Sequence, residues 1–600
     1  MSMSHSYNGT EPTRSSGGIT VGPFKIRLRT PAIDGFVSNT ILFGEAIGPF
    51  SKRLFDWIIE EGEADPGDGE IDWINFVAGV TEGRIPLDEY DRIQEVAAQF
   101  TSRRTKADLL SEALKRRLLL VPIATVADVA TEEHYVARDF WREIEVPGAG
   151  AVTFPGPWAK LSGTPLDITT GPPTVGEGND DILGSSRESP APVVVGGATG
   201  DEAPLAGLKI LDLQWVMAGP AATRPLADWG ATIVRVESTH KVETARTIQP
   251  FLNDAGGAEN GGLYQNMNAG KLGITIDMSK SESRDVILDL VRWADVVCES
   301  FSPKAMRAWG LSYEDLKVVN PTVIMTSSCL FGQNGPLAEL AGFGTMGASM
   351  SGFYAMTGWP DREPSGVFGA YTDYVSPRFL TSAILAAVDH RDRTGEGQYI
   401  DLSQAEAGVH FMSPAVLDFN LNGHLPDPVG NDDPKMFPHA AYPAEGDDAW
   451  VAIACQNEPA WAALCSTVGI EGDLVGLDAV GRRARRDEID ALISEWTSVR
   501  SSTSAHDELQ SVGVAAHSIQ TSKDLTEDPQ LIQRRHFREV AHAEHGTLTV
   551  EGPRYSMSRS VDVITDAGPT YGQHTFEVLE NILGYDGERI GDLAVAGVLE

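Results

Sequence analysis

The chain has 600 residues, 42% of them hydrophobic, enough for a large core and more than one domain. Its formal net charge of −38 argues against a nucleic-acid binder, which needs a basic surface. No apolar run approaches the roughly 20 residues that a membrane-spanning helix requires.

The first segment, MSMSHSYNGTEPTRSSGG, is polar and lacks an apolar signal core, so residues 1–20 are predicted as a disordered tail. Residues 21–184 read as a first unit. VGPFKIRLRTPAIDGFVS has the composition of one or two strands. FSKRLFDWIIEEGE is an amphipathic helix with Phe50, Leu54, Trp57 and Ile58 on one side. PLDEYDRIQEVAAQFTSRRTKADLLSEALKRR continues as helix, broken near Ser102. From Ala124 the chain reads ATVADVATEEHYVARDFWREI, and this aligns without gaps to QTSKDLTEDPQLIQRRHFREV, 396 residues later. The offset holds onward: Gly150 falls on Gly546, Gly156-Pro157 on Gly552-Pro553, Pro173-Thr174 on Pro569-Thr570 and Gly176 on Gly572. This register predicts a duplicated structural unit, with a period far too long for a solenoid. Residues 185–204, rich in Gly, Pro, Ser and Ala, are the expected linker.

Residues 205–600 read as a complete second unit. LKILDL is a buried strand, QWVMAGPAATRPLADWG a loop and helix closed by Gly230, and ATIVRVES a second strand. That βαβ start implies a right-handed crossover and a parallel sheet. ITIDM, a helix at SESRDVILDLVRWA, DVVCESF and VIMTSSC continue the alternation, giving a doubly wound α/β fold. The loop after the first strand carries one glycine, Gly219, so it is not a dinucleotide fingerprint. Cys298, Cys329, Cys455 and Cys465 are too scattered for a disulfide framework or a zinc ribbon. They read as buried thiols of a cytoplasmic protein.

The stretch Gly366–Gln404 is the most informative. Tyr371, Thr372 and Asp373 precede Ser376 and Pro377, which read as the N-cap and first residue of a buried helix. Arg393-Thr394-Gly395-Glu396-Gly397-Gln398 is a turn into the strand Tyr399-Ile400-Asp401-Leu402. On residue chemistry alone, Asp373 is a capping or turn aspartate.

GAYTDYVSPRF and AILAAVDHRDRTGEGQYIDLSQAE, together with LDL, AGP and LADWGATIVRVE earlier, resemble the family III CoA transferases (the CaiB/BaiF family). The resemblance covers most of residues 205–584, while the first unit resembles only the family's C-terminal portion. It implies a doubly wound parallel sheet with a smaller α+β domain, preceded here by a partial duplicate. It also implies an enzyme that moves CoA from an acyl-CoA to an acceptor carboxylic acid. Asp373 matches the family's nucleophile, which forms a mixed anhydride and then an aspartyl-CoA thioester.

CoA is the implied co-substrate, and no metal is required. Val216, Met217 and Ala218 match backbone contacts to CoA. Lys271 matches a phosphate ligand, Phe301 lines the nucleotide pocket, and Arg307 falls one residue early. From the residues alone, Lys271 and Arg307 read equally well as surface charge, and Phe301 as core. The family's interlocked dimers imply a homodimer or a hetero-oligomer with a related chain. Nucleic acid and membrane are not expected as partners.

Some positions depart from the family pattern. Gly342-Phe343-Gly344 replaces Gly-Tyr-Asp or Gly-His-Asp, and Phe343 cannot do the acid–base work of the related racemases. GNDDPKMFPHAAYP replaces a glycine-run lid, with His439 either reaching the site or capping a turn. A CoA-dependent lyase or isomerase would need His439 or Glu406 as its base. A non-catalytic subunit of a hetero-oligomer is the third reading.

Overall fold

A computed structural model describes all residues except Met1, Thr13, 16–17, Gly22, Ala46, 186–202 and Phe368. The expected linker thus lies almost wholly outside the described residues. The centre of the molecule is a parallel sheet of six strands: β1 (Lys209–Asp212), β2 (Thr232–Glu237), β3 (Leu272–Thr275), β4 (Val296–Glu299), β5 (Ile324–Cys329) and β6 (Tyr399–Ser403). They lie in the order β3-β2-β1-β4-β5-β6. The strands are almost continuously apolar because helices cover both faces.

One face packs Ile210, Ile233, Val296, Ile324 and Ile400 against Leu226, Leu380, Ile384 and Ala387. These last belong to helices α1 (Ala218–Asp228) and α3 (Thr372–Thr394), which touch one another along their length. The other face packs Leu211, Val234, Ile274 and Val297 against Val286, Ile287 and Leu290, and against Leu579 and Leu593 near the C-terminus. Two further helices frame α3: α2 (Gly344–Met350) and α4 (Gln404–Phe411). A separate antiparallel sheet, His439–Pro443, Trp450–Ala454 and Ala515–Ser518, builds the smaller α+β domain around its own core.

The first unit has a three-stranded antiparallel sheet of its own. Its strands Arg29–Ala32, Gly35–Asn39 and Leu120–Pro122 pair in the same antiparallel order. Helices Val126–Thr131 and Glu133–Ala137 recur 396 residues later as Ser522–Glu527 and Pro529–Gln533. Both copies begin with a capping box, Thr125 with Asp128 and Thr521 with Asp524. Both turn into their hairpin through a residue with φ of 53°, Asp139 and Arg535.

Two sequence expectations are corrected here. The boundary at residues 184–205 does not separate two packing units. Lys160–Leu161 of the first unit pairs antiparallel with β6 at the sheet edge. Val121, Val126, Val129, Tyr135 and Phe140 share one core with Phe331, Met346, Phe353 and Val409. The tail is also ordered in part: Ser4–Asn8 is helical, with Met3 and Tyr7 buried. Asn8 Nδ2 also donates to Asp254 Oδ1 at 2.7 Å and Ser522 Oγ to the Thr10 carbonyl at 3.0 Å, contacts that a polar average conceals.

The turn before β6 shows how closely the backbone is packed. Gly395 ends α3 in the left-handed region at φ 78°, with open space around it. At Gly397 a Cβ would lie 2.2 Å from the Val323 carbonyl oxygen, which belongs to fixed backbone. Gly395→Ala is therefore expected to cost about 1 kcal/mol. Gly397→Ala, which must push the β5–β6 junction apart, is expected to cost about 3 kcal/mol or more. Urea unfolding of the two variants checks the order.

Candidate active site

Helix α3 leads into a strand of a parallel sheet, so it runs antiparallel to the strands. Its N-terminus therefore lies at the carboxyl edge of the sheet, the side on which open α/β sheets bind ligands. Asp373 is in its first turn. The loop Gln214–Met217 leaves β1 at the same edge, Phe301 follows β4, and α4 springs directly from β6. The order reverses between β1 and β4, which makes the crevice beside Val216 and Phe301 the topological switch point.

The helix begins at Thr372, earlier than the Ser376–Pro377 start the sequence suggested. Ser376 is thus inside the helix, not its cap, and its hydroxyl is buried without a hydrogen-bond partner among the described residues. Pro377 is four residues beyond Asp373 and lacks the N–H that the Asp373 carbonyl would otherwise meet. Sequence reasoning failed here because Ser-Pro carries a strong start signal, whereas Tyr371, the residue before the helix, makes no side-chain cap.

Three glycines let the helices around Asp373 close on one another. A Cβ at Gly344 would sit 2.6 Å from Asp373 Cγ and 2.7 Å from Oδ2. One at Gly347 would lie 2.6 Å from Thr372 Oγ1, and one at Gly408 would lie 2.5 Å from Ser351 Oγ. The Gly344 N–H and the Gln404 side chain both hydrogen-bond the Asp373 carboxylate. Thr372 Oγ1 stands 2.9 Å from the Gly344 carbonyl and 3.3 Å from Gln404 Oε1. With one proton between two acceptors, this hydroxyl favours the nearer Gly344 carbonyl. Tyr371 packs edge-on to Phe353 and Phe411, adding an apolar rim.

Burial dominates the electrostatics. It pushes the Asp373 carboxyl up to about 7, and the Gly344 N–H and Gln404 amide offset only part of that rise. Once ionised, such a carboxylate is poorly solvated and correspondingly reactive. Gly344 and Gln404 were missed as site residues. The available signal for Gly344 was its departure from the Gly-Tyr-Asp wording, because a carboxylate there would collide with Asp373.

The expected CoA contacts divide into two groups. Val216 is half-buried with a left-handed φ of 65°, unusual for a β-branched residue. Its N–H donates to Glu243 Oε1 at 2.8 Å. Met217 is half-buried, and Ala218 is the buried first residue of α1. Phe301 is half-buried, with its ring 6.1 Å from Trp215 and 5.0 Å from Trp309. Arg307 is exposed on the short helix Pro303–Ala308, and Lys241 lies 5.8 Å from the Trp215 ring. Aromatic faces with nearby cations suit a nucleotide bearing phosphates. Trp215 and Lys241 escaped the sequence reading because neither stands in a recognisable motif.

Lys271 is a correction. Its ammonium is fully buried and donates to Asp212 Oδ2 (3.0 Å), Thr223 Oγ1 (2.8 Å), Asn268 Oδ1 (3.0 Å) and the Pro220 carbonyl (3.2 Å). With its protons engaged beneath α1, it ties the end of β1 to α1 and is not free to meet a phosphate. Of the two candidate bases of a lyase or isomerase, Glu406 is occupied by its pairing with Arg138, while His439 donates Nδ1–H to the Asn431 carbonyl oxygen at 2.6 Å and keeps Nε2 as an acceptor.

Comparison with known proteins gives the family. The model of CoA-transferase family III matches residues 79–179 and 205–575, and the chain belongs to that family. A succinyl-CoA–D-citramalate CoA-transferase of Chloroflexus aurantiacus is 29% identical over 399 residues, 66% of this chain and 98% of that protein. A succinyl-CoA:mesaconate CoA-transferase of Haloarcula marismortui is 32% identical, over 62% of this chain and 95% of that protein. The crystal structure of a CaiB/BaiF family protein from Brucella suis superposes with a TM-score of 0.59 at 30% identity. It covers 64% of this chain and 100% of its own. This protein is accordingly an enzyme of the CoA-transferase class, with about a third of its length beyond what such relatives span.

Three outcomes follow from the site. Activity that depends on ionised Asp373 should rise with pH through a midpoint near 7, read from kcat/KM between pH 5.5 and 8.5 by about tenfold per unit on the acid side. Since the folded carboxyl titrates above its unfolded value, stability falls as pH rises from about 4 to 7. Asp373→Asn should therefore match wild type near pH 4 and exceed it at pH 8, by up to about 4 kcal/mol. Lys271→Ala strands Asp212 as a buried, unpaired carboxylate and should lose about 3–5 kcal/mol in denaturant unfolding.

Proposed function

We propose that this enzyme transfers CoA between carboxylic acids with Asp373 as a covalent nucleophile. The observation that carries this reading is a buried carboxylate, held by two hydrogen bonds at a helix start and pushed up to about 7. An Asp373 carboxylate oxygen attacks the thioester carbonyl of the donor. The C–S bond breaks, CoA leaves as thiolate, and a mixed anhydride remains on the enzyme. The thiolate then attacks the aspartyl carbonyl, the C–O bond breaks, and the donor acid departs, leaving an aspartyl-CoA thioester.

The acceptor carboxylate attacks that thioester and again expels CoA thiolate. Attack of the thiolate on the acceptor's acyl carbon yields the new acyl-CoA and restores Asp373. Each step develops negative charge on a carbonyl oxygen beside Asp373. The Gly344 N–H and the Gln404 amide are donors already fixed there. The anhydride hydrolyses readily, so the packing of α2, α3 and α4 contributes by excluding water.

CoA itself is assigned to the crevice of Trp215, Val216, Met217, Ala218 and Phe301, with Arg307 and Lys241 meeting phosphate charge. The relatives' succinyl-CoA reactions make a short dicarboxylate the first acid to try. Among the described residues no helix is long and apolar enough to cross a membrane. The four thiols are unpaired, and we place the reaction in the cytoplasm beside its acyl-CoA donors.

The test is peptide mass spectrometry after mixing with succinyl-CoA and other acyl-CoAs, with borohydride to reduce a thioester. A CoA adduct, or a reduced side chain, is expected on the peptide that contains Asp373. Loss of both adduct and turnover is expected in Asp373→Asn, by about three orders of magnitude or more in kcat. Turnover that persists in a folded Asp373→Asn enzyme would overturn the nucleophile.

A further inference from the structure

The N-terminal unit drives two side chains into the catalytic unit. Arg138 is fully buried. Its Nε and Nη2 grip Glu406 at 2.6 and 2.8 Å, and its Nη1 reaches Asp401 Oδ2 at 3.1 Å and Asn334 Oδ1 at 2.6 Å. His134, also buried, contacts the Phe331 carbonyl oxygen through Nε2 at 2.9 Å and accepts the Leu337 N–H on Nδ1 at 3.1 Å. The receiving loop is shaped for them. A Cβ at Gly332 would lie 2.4 Å from the Arg138 guanidinium, and one at Gly335 would lie 2.8 Å from His134 Nδ1. Both glycines have left-handed φ, 74° and 91°.

This contact lies directly behind the nucleophile. Glu406 is on the first turn of α4, two residues from Gln404, which hydrogen-bonds Asp373. Asp401 is in β6, immediately before that helix. The same unit also steadies α2: Ala124 N–H donates to the Ser349 carbonyl at 3.0 Å and Tyr135 Oη to that of Met350 at 3.0 Å. Helix α2 supplies Gly344, the other donor to Asp373. Both hydrogen-bonding arms of the nucleophile are thus braced from the N-terminal unit.

The similar two-helix segment 396 residues later supplies an internal comparison. Arg534 follows Arg138 by 396 residues, at the same point of the same two-helix motif. It is exposed, and its Nη2 contacts the Arg554 carbonyl at 3.3 Å. One local structure thus carries a buried, forked arginine where it meets α4 and an exposed one where it does not.

We propose that the N-terminal unit acts as a built-in partner of the catalytic unit, with Arg138 as a positioning residue that holds Gln404 against Asp373 through Glu406 and Asp401. This rests on Asp373 being the nucleophile. The guanidinium fork fixes both carboxylate oxygens of Glu406, and so the rotation of α4 about its axis. Lysine keeps the charge but not the fork. Asp373 is faced by the Gly344 N–H from α2 and the Gln404 amide from α4. Tyr374 on α3, with Glu551 and Arg554 beyond it, is the titratable neighbour. A slackened α4 weakens the Gln404 hydrogen bond, lowers kcat and moves the pH midpoint upward.

The experiment uses the full chain with Arg138→Lys, the neutral pair Arg138→Met/Glu406→Gln, and Arg534→Met as control. Turnover of succinyl-CoA, thermal unfolding and adduct formation on Asp373 are read for each. The neutral pair is expected to lose about tenfold or more in kcat, with KM for succinyl-CoA within about twofold and a higher pH midpoint. Arg138→Lys should fall between it and wild type, and Arg534→Met should match wild type. Wild-type kcat and midpoint in the folded neutral pair overturn the positioning role. If the pair fails to fold, the same result in Arg138→Lys overturns it. Wild-type adduct on Asp373 with unchanged variants removes the Arg138 role alone. Absence of that adduct in wild type removes the nucleophile and the positioning role together.

Discussion

The interior around α3 depends on keeping one carboxylate, Asp373, out of water. Burial raises the free energy of ionised Asp373, and two hydrogen bonds recover only part of it. The cost is tolerable because the fold supplies close-packed helices on a large apolar sheet. Gly344, Gly347 and Gly408 make the approach possible, since a methyl group at any of them would meet an atom within 2.6 Å. Stability and reactivity therefore draw on the same feature in opposite directions, as expected where function requires a strained group.

A second constraint is charge balance behind the site. Asp401 and Glu406 are almost fully buried, and the catalytic unit meets them with cations borrowed from the N-terminal unit. Arg138 pairs with both, and Lys160, whose ammonium donates to the Arg138 carbonyl, lies in the field of the same carboxylates. A buried pair adds little net stability, but removing one member leaves an unpaired charge. Its value here is specificity: it fixes how the first unit docks. The core shared between residues 119–140 and 330–416 supplies the area, and the arginine supplies the register.

Much of the sheet was legible in the sequence. The six strands and their crossovers carry runs of Val, Ile and Leu that only a doubly covered parallel sheet explains. The repeat was legible from Ala124 onward, because capping boxes, glycines and prolines hold register. Upstream, the two antiparallel sheets differ in loop length, and their similar strand order is visible in three dimensions alone. Asp373 was singled out in the sequence through the wording around it, and the structure finds it buried in the first turn of α3. Lys271 was misread because a lone lysine before a strand gives no sign of four buried partners. Gly344 and Gln404 act through distances that no local pattern encodes. Arg138 is paired with residues more than 260 positions away, beyond the reach of any spacing argument.

The most direct test of the central claim follows an oxygen atom. Wild-type enzyme is given an acyl-CoA and an acceptor acid whose carboxylate carries heavy oxygen, and the Asp373 peptide is weighed after turnover. Covalent catalysis through an aspartyl anhydride predicts that one heavy oxygen passes from the acceptor into the Asp373 side chain. Turnover that leaves this peptide unlabelled would contradict the account.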